Sequence, residues 1–317
     1  MNDRTDREDS SAPLAGVQRE LVNAHLLLLS RLLRRSAQVD YAGFEPGNLM
    51  ERRIVFTLFR TEGGRVSELT ALLGNDIAQV SRALSTLKAR GLADRRRQRD
   101  PYVLTPAGVE LGRLMDGVAV RREQELSAGL APLEMFELAG MLDNLMGKAV
   151  AILAEELAGS RDEDEADGPP RTEIPSRIQS AIAALATTIM RSATIAFKRQ
   201  TGLSQYEWRI LANLAYRPAI PFKDLVIHID SDKAQVSRAL NPLIDARLLR
   251  RDKPGGIGPA ILEMTAQGWE VHDVMQRDAL RRNIIMIEDF TAAQRGRLQS
   301  YLELLIANAT AMARRAE

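Results

Sequence analysis

The heptapeptide AQVSRAL occurs twice in this chain, at residues 78–84 and again at residues 234–240. The match continues on both sides of the heptapeptide at the same offset. Farther along, TPAG at 105–108 corresponds to TAQG at 265–268, and the second copy has a few extra residues before this motif. A repeat that covers about half of a chain is a duplicated domain and not a short solenoid unit. We therefore name the two halves repeat 1 (residues 14–159) and repeat 2 (residues 176–317).

Length and composition indicate two ordinary globular domains. The chain has 317 residues, of which 45% are hydrophobic and 27% are charged. A chain of this size is long enough for two domains that each bury a core. No apolar run approaches the roughly 20 residues that cross a bilayer, and the polar segment 1–13 lacks the apolar stretch of a signal peptide. We expect a cytoplasmic protein without a membrane partner.

The sequence lacks the residue patterns that most enzyme chemistry needs. There are no cysteines, which excludes disulfides, thiolate nucleophiles and the usual structural zinc sites. None of the three histidines, His25, His228 and His272, stands at a metal-ligand spacing from another. A nucleophile elbow and a glycine-rich phosphate loop are also missing from the sequence. We expect a protein that is not an enzyme and that has no metal site and no cofactor.

Polar segments divide the chain into two domains. Residues 1–13 are predicted to be disordered, and residues 160–175 form an acidic, proline-containing stretch without apolar periodicity. This acidic stretch is predicted to link domain 1, at 14–159, to domain 2, at 176–317. On each side of it the pattern predicts the same order of elements: a long helix, three shorter helices, a hairpin and two more long helices.

Each copy of the heptapeptide lies on a predicted helix that follows a shorter helix. The heptapeptide helices are expected at 77–90 and 232–246, after short helices at 66–73 and 222–229. Their apolar residues recur at helical spacing and are expected to face the core: Val80, Leu84, Leu87, Val236, Leu240 and Leu243. A short helix, a turn and a second helix with polar residues near its start form the helix-turn-helix arrangement.

Turn and cap signals complete the pattern. The segments 92–105 and 248–265 each have a β-prone arm, a turn-rich tip and a second arm, which predicts a hairpin, or wing, after each helix-turn-helix. Several residue pairs have the spacing of helix N-caps: Asp76 with Gln79, Ser204 with Glu207, Thr291 with Gln294, and Thr105 with Pro106. A helix-turn-helix followed by a hairpin is a winged helix, so the sequence predicts one winged helix in each repeat.

The sequence resembles the MarR family of bacterial regulators. The resemblance rests on QYEWRIL at 205–211, on AQVSRAL with the leucines that follow it, and on the wing that closes in LTPAG at 104–108. It implies a mainly α fold with small β-wings, in which two tandem winged helix-turn-helix domains carry long dimerisation-type helices and pair as a pseudo-dimer. Pairing within one chain and domain exchange between two chains both satisfy this arrangement, and a further homodimer is left open.

The resemblance also implies a transcription regulator that binds double-stranded DNA at a pseudo-palindromic operator. In this family the second helix of the motif enters the major groove and the wing reaches the minor groove. Glutamine pairs with adenine and arginine with guanine, while clustered arginines suit phosphates or a narrow minor groove. The residues expected to contact DNA are Gln79, Ser81, Arg82, Lys88, Arg95, Arg96, Arg97, Arg99, Lys233, Gln235, Ser237 and Arg238.

Repression, relieved by a small-molecule effector such as an aromatic acid, is the mode of action that the resemblance implies. The candidate effector-binding residues are His25, Arg53, Trp208 and Arg209. The second wing has KPGGIGP at its tip, without arginine, so we expect the two wings to contribute unequally to binding. The alternative is a winged-helix scaffold for protein interactions that does not bind specific DNA. The nearly neutral net charge favours this alternative, and the basic run within 82–99 argues against it.

Overall fold

The computed structural model describes most of both repeats: residues 21–45, 48–73, 77–98, 100–159, 177–215, 217, 219–229, 233–252 and 259–315. The segment expected to be disordered, 1–13, and the expected linker, 160–175, lie outside the described residues. The same holds for Asp76 of one expected cap, for Arg99 of the first wing and for the tip of the second wing at 253–258.

Repeat 1 folds in the predicted order. Its helices are α1 (Val22–Asp40), α2 (Leu49–Thr61), α3 (Val66–Leu73), α4 (Ile77–Ala89), α5 (Pro106–Leu126) and α6 (Pro132–Gly159). Between α4 and α5, the strands β1 (Ala93–Asp94) and β2 (Val103–Leu104) pair antiparallel and form the wing. Gly64, just before α3, adds an isolated bridge to Tyr102. The predicted helix-turn-helix and hairpin are confirmed in this repeat.

Repeat 2 has the same order of helices and a larger sheet. Its helices are α7 (Ile178–Thr201), α8 (Gln205–Ala215), α9 (Phe222–Ile229), α10 (Lys233–Asp245), α11 (Ala266–Ile287) and α12 (Ala292–Arg314). Its strands are β3 (Ala219–Pro221), β4 (Leu249–Asp252) and β5 (Ile261–Met264), in the antiparallel order β3-β5-β4. The sequence did not predict β3, because it is only three residues long and ends in a proline, which belongs at a sheet edge.

The apolar faces of the two heptapeptide helices are buried, as predicted. The residues concerned lie in two separate clusters, one in each repeat: Val80, Leu84, Leu87, Val236, Leu240 and Leu243. Full burial of a valine or leucine side chain contributes about 1.5–3 kcal/mol. Because one face of α4 and of α10 is used in this way, the opposite face of each helix is left to solvent.

Three of the predicted helix starts are confirmed. The amide of Ser204 donates to Glu207 Oε2 at 2.7 Å, and the amide of Glu207 donates to Ser204 Oγ at 3.4 Å. Thr291 and Gln294 form the same reciprocal pair, with distances of 2.9 and 3.3 Å. Pro106 is at the first position of α5. These caps satisfy amides that have no partner inside the helix.

The TPAG and TAQG motifs close the base of each wing. Thr105 Oγ1 accepts a hydrogen bond from the amide of Gly108 at 3.1 Å. A Cβ atom added to Gly108 would lie 1.9 Å from the carbonyl oxygen of Leu92, and one added to Gly268 would lie 2.1 Å from that of Leu248. The glycine therefore lets the helix that follows each wing pass directly against the backbone where the wing begins.

The chain divides into two compact units, and each unit takes segments from both repeats. Of the described residues, the first-wing unit comprises those within 26–146, 177–186 and 296–315. The second-wing unit comprises those within 21–25, 147–159 and 187–295.

Contacts between the repeats cap the first helix of each one. In the second-wing unit, the amide of Val22 at the start of α1 donates to Asn283 Oδ1 at 2.9 Å. In the first-wing unit, the amide of Ile178 at the start of α7 donates to Glu123 Oε1 at 2.6 Å. Val22 and Ile178 are counterparts in the repeat, and so are Asn283 and Glu123. Each repeat thus supplies a side chain that satisfies a helix-start amide of the other.

A second pair of contacts is reciprocal in the same way. In the second-wing unit, Lys148 Nζ donates to Glu288 Oε1 at 2.6 Å. In the first-wing unit, Asn308 Nδ2 donates to the carbonyl oxygen of Ala128 at 2.9 Å. Asn308 is the counterpart of Lys148, and Ala128 is the counterpart of Glu288. The same two positions therefore meet twice with the roles of the repeats exchanged.

Helix α7 corrects the expectation that no apolar run is long enough to cross a bilayer. By length and composition, Ile178–Thr201 is the one helix in the described part of the chain that could do so. Sequence reading missed it because scattered serine, threonine and arginine residues interrupt the apolar run. Of the 18 residues that make this helix apolar enough, 56% are buried inside the protein, as expected of a helix in a protein core.

Replacing Gly108 by alanine should destabilise the protein, because the new Cβ would lie 1.9 Å from the carbonyl oxygen of Leu92. We expect a loss of about 1–3 kcal/mol, the usual result of overpacking. Gly117 lies on the same helix with nothing within 4 Å of an added Cβ, so Gly117→Ala should stabilise the protein by about 0.5–1 kcal/mol. Urea unfolding measures both free energies. Equal stabilities of the two variants would contradict the close approach at Gly108.

Candidate nucleic-acid interface

Helix α4 presents a polar face opposite its core face. Gln79, Ser81 and Arg82 are exposed in its first two turns. The hydroxyl groups of Ser85 and Thr86 donate to carbonyls of their own helix, those of Ser81 and Arg82, at 2.9 and 3.1 Å. Among the residues that the structure describes, the Arg82 guanidinium has no ion-pair partner. The guanidinium can therefore bind an anion that lies outside the described residues.

Helix α10 presents the same face in repeat 2. Lys233, Gln235, Ser237 and Arg238 are exposed. Gln235 Oε1 accepts a hydrogen bond from the Tyr206 hydroxyl at 3.2 Å, which orients the amide. Neither cation of this face forms an ion pair within the described ranges. The structure thus brings the predicted polar residues of each helix together on one exposed surface.

Lys88 is engaged at the base of the first wing. Its Nζ lies 2.7 Å from Asp94 Oδ1, and the same oxygen accepts a hydrogen bond from the amide of Arg95 at 2.8 Å. These contacts, the Lys88 hydrogen bond first, hold the pKa of Asp94 below its ordinary value. Lys88 therefore links the end of α4 to β1. The basic run that predicts Lys88 at DNA does not show that Asp94 pairs with it, because the pairing depends on how the wing turns back beside α4.

In the described part of the first wing, two arginines are exposed and a third, Arg95, folds back onto the wing. The Arg95 guanidinium lies 4.7 Å from the centre of the Tyr102 ring, and its Nη1 donates to the carbonyl of Gln98 at 2.6 Å. Arg95 is thus held by a cation–π contact and a hydrogen bond. Arg96 and Arg97 are exposed, and their guanidinium groups have no ion-pair partner in the described chain.

The cations on the described arms of the second wing are engaged within the protein. Arg250 Nε donates to Glu263 Oε2 on the neighbouring strand at 2.8 Å, and this contact holds the pKa of Arg250 above its ordinary value. The Arg251 guanidinium lies 5.9 Å from the centre of the Phe222 ring. Sequence reading missed Glu263 as a partner; the register that places Arg250 opposite Glu263 would have identified it.

Two of the candidate effector-binding residues hold the helix-turn-helix together. Arg53 Nη2 donates to the carbonyl of Leu73, the last residue of α3, at 2.8 Å. Its counterpart Arg209 donates from Nη2 to the carbonyl of Ile229, the last residue of α9, at 2.6 Å. A helix leaves its last carbonyls without partners, and an arginine that binds one of them ties two helices together.

The other two candidates also make contacts inside the fold. Trp208 stacks on Phe197 with ring centres 5.0 Å apart. His25 is buried, and its Nδ1 lies 2.9 Å from the carbonyl oxygen of Leu21. His25, Trp208 and Arg209 belong to the second-wing unit, whereas Arg53 belongs to the first-wing unit. Effector binding by these residues stays a prediction.

Two solved structures are similar to part of this chain. One is a MarR family transcriptional regulator from Silicibacter pomeroyi, with a TM-score of 0.33 and 24% identity over 39% of this chain and 87% of that chain. The other is a MarR/EmrR family transcriptional regulator from Acinetobacter sp. ADP1, with a TM-score of 0.35 and 23% identity over 39% of this chain and 88% of that chain. No protein-family model and no curated protein matches the chain.

Removing the Lys88 ammonium should return the pKa of Asp94 towards its ordinary value, because the hydrogen bond from Lys88 is the largest cause of the lowering. Since the folded-state pKa lies below the unfolded one, the pair stabilises the wing above the ordinary carboxyl pKa and is lost as the pH falls through the folded-state value. An NMR titration of the Asp94 carboxyl group in Lys88→Met measures the change. Lys88→Arg, which keeps a donor, should preserve the low pKa. No change in Lys88→Met would contradict the pairing.

Proposed function

We propose that this chain is a DNA-binding transcription regulator whose two repeats read the two half-sites of one pseudo-palindromic operator. The observation that carries the proposal is the repeated Gln-Ser-Arg face on α4 and α10. This face is exposed in both helices, and neither Arg82 nor Arg238 has an ion-pair partner among the described residues. A bare cation beside hydrogen-bonding side chains suits a polyanion with readable base edges.

The chemistry of this face suits the major groove. The first turns of a recognition helix contact base edges. A glutamine amide pairs bidentately with adenine and an arginine with guanine, which assigns adenine to Gln79 and Gln235 and guanine to Arg82 and Arg238. The hydroxyls of Ser81 and Ser237 suit phosphates.

The first wing is proposed to reach the minor groove or the adjacent phosphates. Among its described residues, Arg96 and Arg97 are the exposed cations, and arginine is attracted to a narrow minor groove. Lys88 and Arg95 are proposed to position the wing. Lys88 joins the start of the wing to α4, and Arg95 packs on Tyr102. In the second wing, Glu263 neutralises Arg250, so this wing is proposed to contribute less.

The two repeats are proposed to pair within one chain. The reciprocal helix caps and the reciprocal contacts of Lys148 and Asn308 all form in a single chain. In addition, Arg297 Nε donates to Glu137 Oε1 at 2.8 Å, and Arg297 is the counterpart of Glu137. A position that contacts its own counterpart is typical of a two-fold, isologous interface. This pattern supports the pairing of the two repeats as a pseudo-dimer, and domain exchange between two chains would form the same contacts.

We further propose that the protein is cytoplasmic, that it represses transcription, and that a small-molecule effector relieves this repression. It rests on the resemblance to MarR-family regulators. A repressor occupies its operator until the effector lowers its affinity for DNA. A promoter fusion should therefore gain output when the gene is deleted, and a fall in output would point to activation instead.

Selection from a random duplex library should enrich a two-part site, with centres about one helical turn apart. Arg82→Ala and Arg238→Ala should each weaken binding by about 1–3 kcal/mol and relax one half-site. Arg113→Ala is the matched control, since Arg113 is exposed on α5 and pairs with Glu110. Enrichment of no duplex would favour the protein-interaction scaffold.

The two wings should differ in the salt dependence of binding. Replacing Arg96 and Arg97 together by alanine should reduce the slope of log K against log salt concentration by about two, because each phosphate contact contributes about 0.9. The matched variant with Arg250 and Arg251 replaced should change the slope by much less. Titrations of the selected duplex at several salt concentrations measure both slopes. Equal changes would contradict the unequal contribution of the wings.

A further inference from the structure

The two recognition helices differ at their first residue. Helix α4 begins with Ile77, and α10 begins with its counterpart Lys233. Ile77 is 61% exposed, and Lys233 is exposed without an ion-pair partner in the described chain. The exposed glutamine, serine and arginine that follow are identical in the two helices. The helices also differ farther along, at Ser85 and Asn241, Thr86 and Pro242, and Lys88 and Ile244. The first residue is the difference that lies at the end where a recognition helix meets base edges.

The two first residues suit different bases. A large apolar side chain at the start of a recognition helix gains burial by contacting the methyl group of thymine. A lysine at the same place offers donors to O6 and N7 of guanine. Ile77 therefore favours thymine, and Lys233 favours guanine at the corresponding position. The glutamine, serine and arginine that the two helices share contact the same bases in both half-sites.

The wings add a second, independent difference. Arg96 and Arg97 leave the first wing with exposed cations, which suit a narrow, A·T-rich minor groove. The second wing pairs Arg250 with Glu263 and packs Arg251 on Phe222. Its tip lies outside the described residues, and in sequence the tip segment 253–258 contains one basic residue. Both differences distinguish repeat 1 from repeat 2.

We propose that this chain binds its operator in one orientation. The inference rests on the proposed function and deepens it. Repeat 1 occupies the half-site that has thymine opposite Ile77 and an A·T-rich flank, and repeat 2 occupies the half-site that has guanine opposite Lys233. A homodimer has two identical reading surfaces and cannot distinguish the two directions of its site. This chain has two different ones, so the order of the repeats is fixed relative to the promoter.

Selection with residue exchanges tests the base assignment. The wild-type chain should enrich two half-sites that have the same central bases. They should differ at the position read by the first helix residue, with thymine opposite Ile77 and guanine opposite Lys233. Ile77→Lys should place guanine in both half-sites, and Lys233→Ile should place thymine in both. Both residues are exposed at helix starts, and a thermal melt checks that each variant is folded. A wild-type site that is already symmetric at this position, or one that both exchanges leave unchanged, would overturn the assignment.

Directed cleavage tests the orientation. Because the chain has no cysteine, Gln98→Cys in the first wing and Pro259→Cys in the second, both at exposed positions, each provide a single site for a DNA-cleaving iron chelate. On the wild-type-selected duplex, the first label should cut one side about 10-fold more than the other, and the second label should cut the opposite side. Equal cutting on both sides by each label would overturn the fixed orientation and leave the proposed function intact. Failure of the wild-type chain to enrich any duplex would instead overturn the proposed function, and the inference with it.

Discussion

The core of repeat 2 depends on the guanidinium of Arg282, whose side chain is only 5% exposed. A buried cation costs several kcal/mol unless its donors are satisfied. Arg282 donates to Ser192 Oγ at 3.0 Å and to Asp278 Oδ2 at 2.5 Å, and it also donates at 2.7 Å to Glu156 Oε1, on α6 of repeat 1. Burial alone would raise the pKa of Asp278, but the hydrogen bond and charge of Arg282 hold it below its ordinary value. Repeat 1 thus supplies one of the three acceptors that satisfy a buried charge of repeat 2.

Local signals predicted the helices and wings, while contacts across the fold lay beyond them. Apolar spacing fixes the buried face of α4, and the cap pair Ser204 and Glu207 fixes the start of α8, because each signal lies within one or two turns of chain. The pairing of Lys88 with Asp94 depends instead on how the wing turns back beside the helix. The cap that Asn283 provides for α1 depends on the packing of one repeat against the other. Periodicity and propensity contain neither kind of information.

The repeats have diverged at one core contact while keeping the heptapeptide. In repeat 1, Gly112 leaves room for Phe59, since an added Cβ would lie 2.6 Å from the phenylalanine ring. The counterparts in repeat 2 are His272 and Ala215, so the large and small side chains have changed places. Exchanges that conserve volume are tolerated in a core. Exposed positions tolerate substitution even more readily, yet the Gln-Ser-Arg face is identical in both repeats. The buried face of the same helices is identical as well, with Val80, Leu84 and Leu87 matched by Val236, Leu240 and Leu243. Common descent from one repeat therefore accounts for both faces.

The central claim is that one chain supplies both reading surfaces of a DNA-binding pseudo-dimer. Native mass spectrometry of the complex with the selected duplex, combined with a footprint of the same complex, tests it most directly. The account predicts one 35.1 kDa chain per duplex, with both half-sites protected. Two chains on each duplex, or protection of a single half-site by one chain, would contradict it.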